Sequence, residues 1–353
     1  MSIKSASKDA LFFGYGGIMH IFYPDYYKDF RCIASDCPDS CCKEWDVQVD
    51  PESARRYRAL PGVLGDHLRR VLEDVDGETI MRQTPDRRCP MWRQDGLCEI
   101  QANLGESALC HVCSQFPRLR HDYGNFVELG LELSCPEAAR IILASPFPAT
   151  FCENLTVGTV PDYDAADMEI LRESRTAAHS ILSTPSYCLG EALAALLLYS
   201  YRIQAVLDGE ECLPFHMDSA LAEAHALAQT GSMADIFALY KTLEILTPAW
   251  RQLLDATPVT QPWESHHIAL ARYFIDRYWL QAVSDLDLVG RAKFIITSCL
   301  MIRALPGDPL RNAQLYSKEI ENDADNVYAL LDAAYTSPAL TDVKLLGLLL
   351  AES

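Results

Sequence analysis

From about residue 167 onward, apolar side chains recur every three to four positions, the spacing an amphipathic helix needs when one stripe is buried and the other faces water. The segments "DMEILRESRTAAHSIL", "GEALAALLLYSYRIQAVL", "MADIFALYKTLEILTPAWRQLL", "ESHHIALARYFIDRYWLQAV" and "GRAKFIITSCLMIRAL" all show it, with Pro or Gly between them. This predicts an all-helical domain over residues 167–353. The first 150 residues have another texture. Turn signals such as "YPDYY", "TPDRRCP", "RQDG" and "HDYGN" leave room only for short helices. One is expected in "DPESARRYRAL", where Asp50 is placed to cap and Pro51 falls in the first turn. "CPEAARIILAS" repeats the pattern from Pro136. The change of texture sets a boundary at residues 147–166, and the fold class is mainly α.

Composition narrows the partners. The chain has 353 residues, 49% hydrophobic and 22% charged, with a formal net charge of −19. Such a surface repels nucleic-acid phosphate and anionic membrane and favours a basic partner. The most apolar late segment, "ALAALLLYSY" at 192–201, is shorter than the roughly 20 residues a bilayer requires. "LFFGYGGIMHIFYP" follows Lys4 and Lys8 but is interrupted by His20 and lacks a small-residue cleavage site, so a cytoplasmic protein is expected.

Cysteine changes the picture most. Of thirteen cysteines, ten lie in the first 152 residues, and Cys32, Cys37, Cys41 and Cys42 fall within eleven positions. An odd count in a reducing compartment points away from disulfides and toward metal or redox chemistry. Four thiolates complete a tetrahedral zinc site or hold one [4Fe–4S] cluster. Cys37 and Cys41, four apart, can share a site across one helical turn, whereas the adjacent Cys41 and Cys42 would diverge in a helix or a strand. One of that pair is therefore expected to join a different ligand set. The spacing excludes a C-x3-C-x2-C radical motif, because position 44 is Glu44. It also excludes a zinc ribbon, since only Cys110 and Cys113 form a C-x2-C pair. The N-terminal region, residues 1–150, is thus read as a cysteine-rich, metal-centred domain.

The run from Cys32 to Trp45, "RCPMW", "DGLCEIQANLGE", "CSQFPR" and "LSCPEAARIIL" together resemble the flagellin lysine N-methylase family, part of a wider cysteine-rich group of zinc- or iron-chelating proteins. A weaker likeness continues through "YFIDRYWLQAVSDLDLVGRAKF". Carried over by position, the resemblance implies metal ligands at Cys32, Cys37, Cys41, Cys42, Cys89, Cys98, Cys113 and Cys135. These could hold one [4Fe–4S] cluster with four thiols to spare, or two four-thiol sites, with zinc as the alternative. Cys110, Cys152, Cys188, Cys212 and Cys299 fall outside the pattern and are read as small hydrophobes.

The resemblance also implies methyl transfer from S-adenosyl-L-methionine to lysine amines of flagellin or a similar surface protein. No nucleic-acid or membrane partner is implied. The alternative is a non-enzymatic metal-binding or redox-sensing protein on the same cysteine framework. A Gly-rich cofactor turn is absent in usable form: Gly14, Gly16 and Gly17 are followed by no helix-forming run. Tyr26, Trp45, Arg118, Glu132, Tyr273, Tyr278 and Asp287 remain as aromatic, acidic or basic candidates. His266 and His267, at the start of a helix, are expected to face solvent. The catalytic base and the cofactor-binding residues stay unassigned.

Overall fold

The computed structural model describes residues 19–43, 46–155 and 161–351. The glycines of "FFGYGGIMH" and Trp45 lie outside the described residues. Strand β1 (Met19–Pro24) opens the described chain. Next comes a small unit in which β2 (Val47–Val49), β3 (Leu72–Val75) and β4 (Glu78–Met81) form an antiparallel sheet in the order β2-β4-β3. Four short helices accompany it: α1 (Pro51–Ala59), α2 (Gly62–Val71), α3 (Glu99–Leu104) and α4 (His111–Gln115). This unit has its own core, built on Val47, Val49, Tyr57, Leu68, Met81, Met91 and Ile100.

The cap read from "DPESARRYRAL" is present and does more than cap. Asp50 accepts a hydrogen bond from the Ser53 N–H at 2.9 Å and another from the His111 N–H at 2.8 Å, so one carboxylate joins the starts of α1 and α4. These bonds, His111's foremost, hold its carboxyl down at about 2. Asp50→Ala is therefore expected to cost about 1–2 kcal/mol at pH 7, read as a lower urea midpoint. A depressed pKa contributes stability that is full above the unfolded value and lost as pH falls through the folded one, so the difference should shrink from pH 4 toward pH 2. An unchanged midpoint at pH 7 would show that the junction is held by other contacts.

The chain then leaves the small unit. Strands β5 (Arg118–Asp122), β6 (Phe126–Leu131) and β7 (Thr150–Leu155) join β1 in a four-stranded sheet ordered β5-β6-β1-β7. β1 is parallel to β6 and antiparallel to β7, in a register that sets Phe22 beside Glu128 and Cys152. Helix α5 (Pro136–Leu143) starts at Pro136, as its sequence predicts. The two sheets are where the structure departs from a purely helical reading of the front part. Their strands are three to six residues long, too short for a period of two to stand out from loop sequence.

The remainder is helical: α6 (Ala165–Leu182), α7 (Leu189–Leu207), α8 (Met217–Leu227), α9 (Met233–Tyr240), α10 (Pro248–Asp255), α11 (Ser265–Tyr278), α12 (Leu288–Ala304), α13 (Pro309–Tyr316), α14 (Ala324–Thr336) and α15 (Asp342–Leu350). The long "MADIFALYKTLEILTPAWRQLL" segment is split between α9 and α10, because Thr247 caps a new helix and Pro248 begins it. Helix α12 is buried along its whole length. It forms the axis of the larger core, which also takes in Phe126 and Leu131 of the four-stranded sheet and Ile142 of α5. The front part is thus divided between two cores, one its own and one shared with the helices. Among the described residues, no helix is long and apolar enough to cross a membrane.

Candidate functional site

The thiols of the front part fall in two neighbourhoods, one around Cys37 and one around Cys89. Cys37 couples electrostatically to Cys32 and Cys41, and Cys135 to Cys37 and Cys41. In the small unit, Cys89 couples to Cys98, Cys110 and Cys41, while Cys113 couples to Cys110, Cys42 and Cys89. The backbone explains part of this convergence. The Cys89 N–H donates to the Cys42 carbonyl at 2.7 Å, and bridges pair Lys43 with Arg88 and Trp92 with Cys98. Cys98, Cys110 and Cys135 each occupy the residue just before a helix. There, free N–H groups stabilise thiolates.

One expectation needs correction. Cys41 and Cys42 do not point apart: they sit in a turn rather than a helix or strand, and their thiols are hydrogen-bonded to each other. Cys110 sits in the hydrophobic core of the small unit, where a small apolar residue is expected. It is buried, and its hydrogen bond with Cys113 holds its thiol below the usual range, while the same pairing and burial push Cys113 up. Of the other four cysteines, Cys299 is core and Cys188 caps α7, but Cys152 and Cys212 are exposed. Burial raises Cys89 to about 11 and Cys135 to about 12. Among the described residues, no three Cys, His, Asp or Glu side chains stand in an arrangement ready to hold a metal ion. The neighbouring groups are thiols, the donor type that soft metals prefer.

A clamp from the helical part holds the cysteine loop. Asp39 pairs with Lys43 at 2.5 Å and Lys318 at 3.4 Å. Gln314 of α13 donates to Asp39 at 3.0 Å and to the Ser134 carbonyl at 2.9 Å. One amide therefore ties the loop carrying Cys37 and Cys41 to the turn carrying Cys135.

A second feature lies behind this region. One face of the four-stranded sheet, carrying Phe22, Pro24, Leu119, His121, Glu128, Gly130 and Thr150, floors a cavity of about 720 Å³. Helices α6 and α11 wall it. The wall on α6 is a polar stripe, Glu169, Arg172, Glu173, Thr176, Ser180 and Ser183, recurring every three to four residues. Such a volume suits a cofactor-sized ligand. Arg175 crosses from α6 to the sheet and binds Glu128 in a fork, at 2.8 and 2.5 Å. His179 Nε2 lies 2.7 Å from Asp276 Oδ1. Three polar atoms at the cavity are buried without a partner: His121 Nε2, His179 Nδ1 and Arg272 Nε. Burial and the charges of Arg277 and Arg175 hold His121 below the ordinary histidine value, against a smaller opposing effect of Glu128. Its imidazole is consequently neutral near pH 7.

The sequence candidates are distributed unevenly. Tyr26 and Tyr273 line the cavity. Tyr273 and Tyr278 donate to Glu321 at 3.1 and 3.0 Å, and Arg277 meets Glu321 at 3.2 Å and Glu132 at 3.9 Å, forming one buried network. Glu321 is supplied by a π-helical turn, Ser317–Glu321. Asp287 lies apart, capping α12. The Arg118 guanidinium stands over the Phe30 ring. The expectation for the histidine pair fails at His267, which is buried. Its Nδ1 accepts from the Glu264 N–H at 3.0 Å, and burial together with His266 lowers its pKa to about 3.

No model of a known protein family matches the chain, and no solved structure matches it. Two curated proteins called lysine-N-methylase, from Salmonella choleraesuis (strain SC-B67) and Salmonella typhimurium (strain LT2), are each 33% identical over 153 residues, covering 40% of this chain and 38% of the relative. The flagellar biosynthetic protein FliU of Salmonella muenchen is 35% identical over 130 residues, which is 35% of this chain and 76% of FliU. The chain belongs to the flagellin lysine N-methylase family. Its match spans 38% of the length of the curated lysine-N-methylases.

Within this member of the flagellin lysine N-methylase family, the residues that sequence reasoning overlooked are those of the cavity. His121 sits in "HDYGN", which reads as a turn, and Glu128, Arg175, His179, Arg272 and Asp276 carry no motif. In the sequence, α6 offers no signal beyond the polar stripe that any amphipathic helix turns to water. The sheet residues offered none.

Proposed function

We propose that the chain is an S-adenosylmethionine-dependent protein-lysine N-methyltransferase, acting on flagellin or a similar lysine-bearing surface protein. The observation that carries this reading is the cavity, in which a neutral, unpartnered imidazole faces a space of cofactor size. Family membership supports the reaction class. The fit is supported by Gly130, where an added Cβ would meet only the Leu119 Cβ, at 3.9 Å, and would project among the residues of the cavity floor.

The donor, when bound, supplies an electrophilic methyl group on a sulfonium. A lysine amine forms the new C–N bond as the C–S bond breaks, leaving a neutral thioether and an amine that must shed one proton. Deprotonating lysine at pH 7 costs about 4.6 kcal/mol, from 3.4 units below its ordinary pKa. Arg175 and Arg277 disfavour an ammonium nearby just as they disfavour imidazolium. His121 Nε2 accepts the proton. The apolar sheet side chains Phe22 and Leu119 keep water from the amine.

The thiols would hold an iron–sulfur cluster, with zinc as the alternative, drawn from Cys32, Cys37, Cys41, Cys42, Cys89, Cys98, Cys113 and Cys135, with Cys110 as a neighbouring thiol of Cys113. Such a centre would lock the cysteine loops to the small unit and to α5. Anaerobic purification is expected to give brown protein with about four irons and four sulfides per chain. Colourless protein with stoichiometric zinc would replace iron by zinc. Incubation with S-adenosylmethionine and flagellin should add about 14 Da per methyl group on lysine, read by mass spectrometry. Metal-loaded protein that transfers no methyl group to any lysine-bearing substrate would favour the metal-binding or redox-sensing alternative.

A further inference from the structure

The cavity is elongated, and its two ends differ in their charged groups. From Glu169 to Ser183 the polar stripe of α6 runs fourteen residues, roughly 21 Å along the helix. At the Glu169 end stand two exposed carboxylates, Glu169 and Glu173, that make no ion pair among the described residues, and between them Arg172, whose guanidinium lies over the Phe22 and Phe126 rings. At the Ser183 end stands Arg272. Its Nη1 donates only to the His179 carbonyl at 3.4 Å and the Ser183 hydroxyl at 3.3 Å, and its Nε is buried without a partner. The nearby acid, Asp276, is engaged by His179. The cavity's other deep cations, Arg175 and Arg277, are already neutralised by Glu128 and Glu321. Arg272 is therefore a desolvated guanidinium with donors to spare, which is the setting in which a carboxylate binds with charge-assisted hydrogen bonds.

We propose that the two ends bind different partners of one reaction: Arg272 receives the carboxylate of the methyl donor's amino-acid moiety, and the Glu169–Glu173 end admits the cationic lysine side chain. This rests on the methyltransferase reading above. The arrangement places His121 between the two ends, on the sheet floor beside Glu128. It also explains Gly130. The register puts Gly130 beside Leu119, two residues beyond Glu128 toward the Arg272 end, where any side chain would occupy the donor's space. Burial works against the charge of Arg272, with only Asp276 opposing, so an incoming anion restores what desolvation removes. The acidic end suits a lysine-rich target approaching a chain of net charge −19.

The test is calorimetric titration of the full metal-loaded chain with two probes, S-adenosylhomocysteine and 5′-methylthioadenosine, which lacks the amino-acid moiety. Wild type should bind the first at least about 10-fold more tightly than the second. Arg272→Ala should erase that preference, weakening S-adenosylhomocysteine about 10- to 100-fold while leaving methylthioadenosine unchanged. The ratio is taken within one preparation, so a reduced folded fraction does not alter it. Gly130→Val, a strand-compatible change with space around its Cβ, should abolish binding of both probes with an unchanged thermal midpoint. A wild-type preference that survives Arg272→Ala overturns the carboxylate assignment and leaves the methyltransferase reading standing. Binding of both probes unaffected by Gly130→Val removes the donor from this cavity. Wild-type protein that binds neither probe overturns the methyltransferase reading itself.

Discussion

Replacing Glu321 with alanine is expected to destabilise the protein by about 3–5 kcal/mol, the cost of leaving a buried charge without its partner. The side chain is fully buried and serves three donors at once: Tyr273, Tyr278 and the Arg277 guanidinium. With it gone, the one acid left to Arg277 among the described residues is Glu132 at 3.9 Å, whose carboxyl is itself pushed up by burial, beside the neutral Tyr273 hydroxyl at 2.7 Å. Both phenols would lose their acceptor in surroundings where burial already holds them well above the ordinary tyrosine value. Glu321→Gln preserves an acceptor but removes the charge, so an intermediate loss is expected. Urea denaturation of the three proteins checks this. Glu321→Ala within about 1 kcal/mol of wild type would mean that water or a rearranged Glu132 replaces the lost carboxylate. Because the network joins α11, the π-helical turn and the segment leading into α5, its loss should also loosen the cavity wall.

His121→Gln is expected to lower kcat/KM for lysine methylation about 100-fold, the lower part of the range for a positioned proton acceptor. Glu128 comes from the neighbouring strand, Arg175 from α6 and Arg277 from α11, and their sum with burial lowers the pKa of His121. A lowered value keeps the imidazole neutral, and so able to accept, down to more acidic pH than an ordinary histidine. Wild-type kcat/KM should hold as pH falls toward 6.5 and decline only below it, as protonation removes the acceptor. In His121→Gln that acid limb should vanish, and added imidazole should recover part of the rate. An acid limb that persists unchanged in the variant would assign the proton to another group. A loss confined to KM would make His121 a positioning residue for the substrate.

The helices were legible because one helix can be read by itself. Periodicity in "DMEILRESRTAAHSIL" needs no knowledge of what α6 packs against, and Asp50, Pro51 and Pro136 act within one turn of their own position. The strands were not legible for the opposite reason. β1 is completed by β6 and β7, more than a hundred residues away, and a six-residue strand with one face on a cavity and the other on a core has no clean alternation. The positions of the thiols were legible, but the pairing of Cys110 with Cys113 was set by packing in the small unit. The relation of Cys41 to Cys42 was misjudged because the reasoning assumed regular backbone where the chain makes a turn.

What the sequence determined by itself is therefore local chemistry: where the thiols lie along the chain, where helices start, and a net charge of −19. Tertiary structure alone decided which thiols meet, and it alone built the cavity, drawing Phe22, His121, Glu128, Arg175 and Arg272 from separate elements spread over 250 positions. The physical reason is that capping and periodicity depend on neighbours a few bonds away. Desolvation, pairing and the absence of a partner are properties of a space, and they exist only once distant segments enclose it.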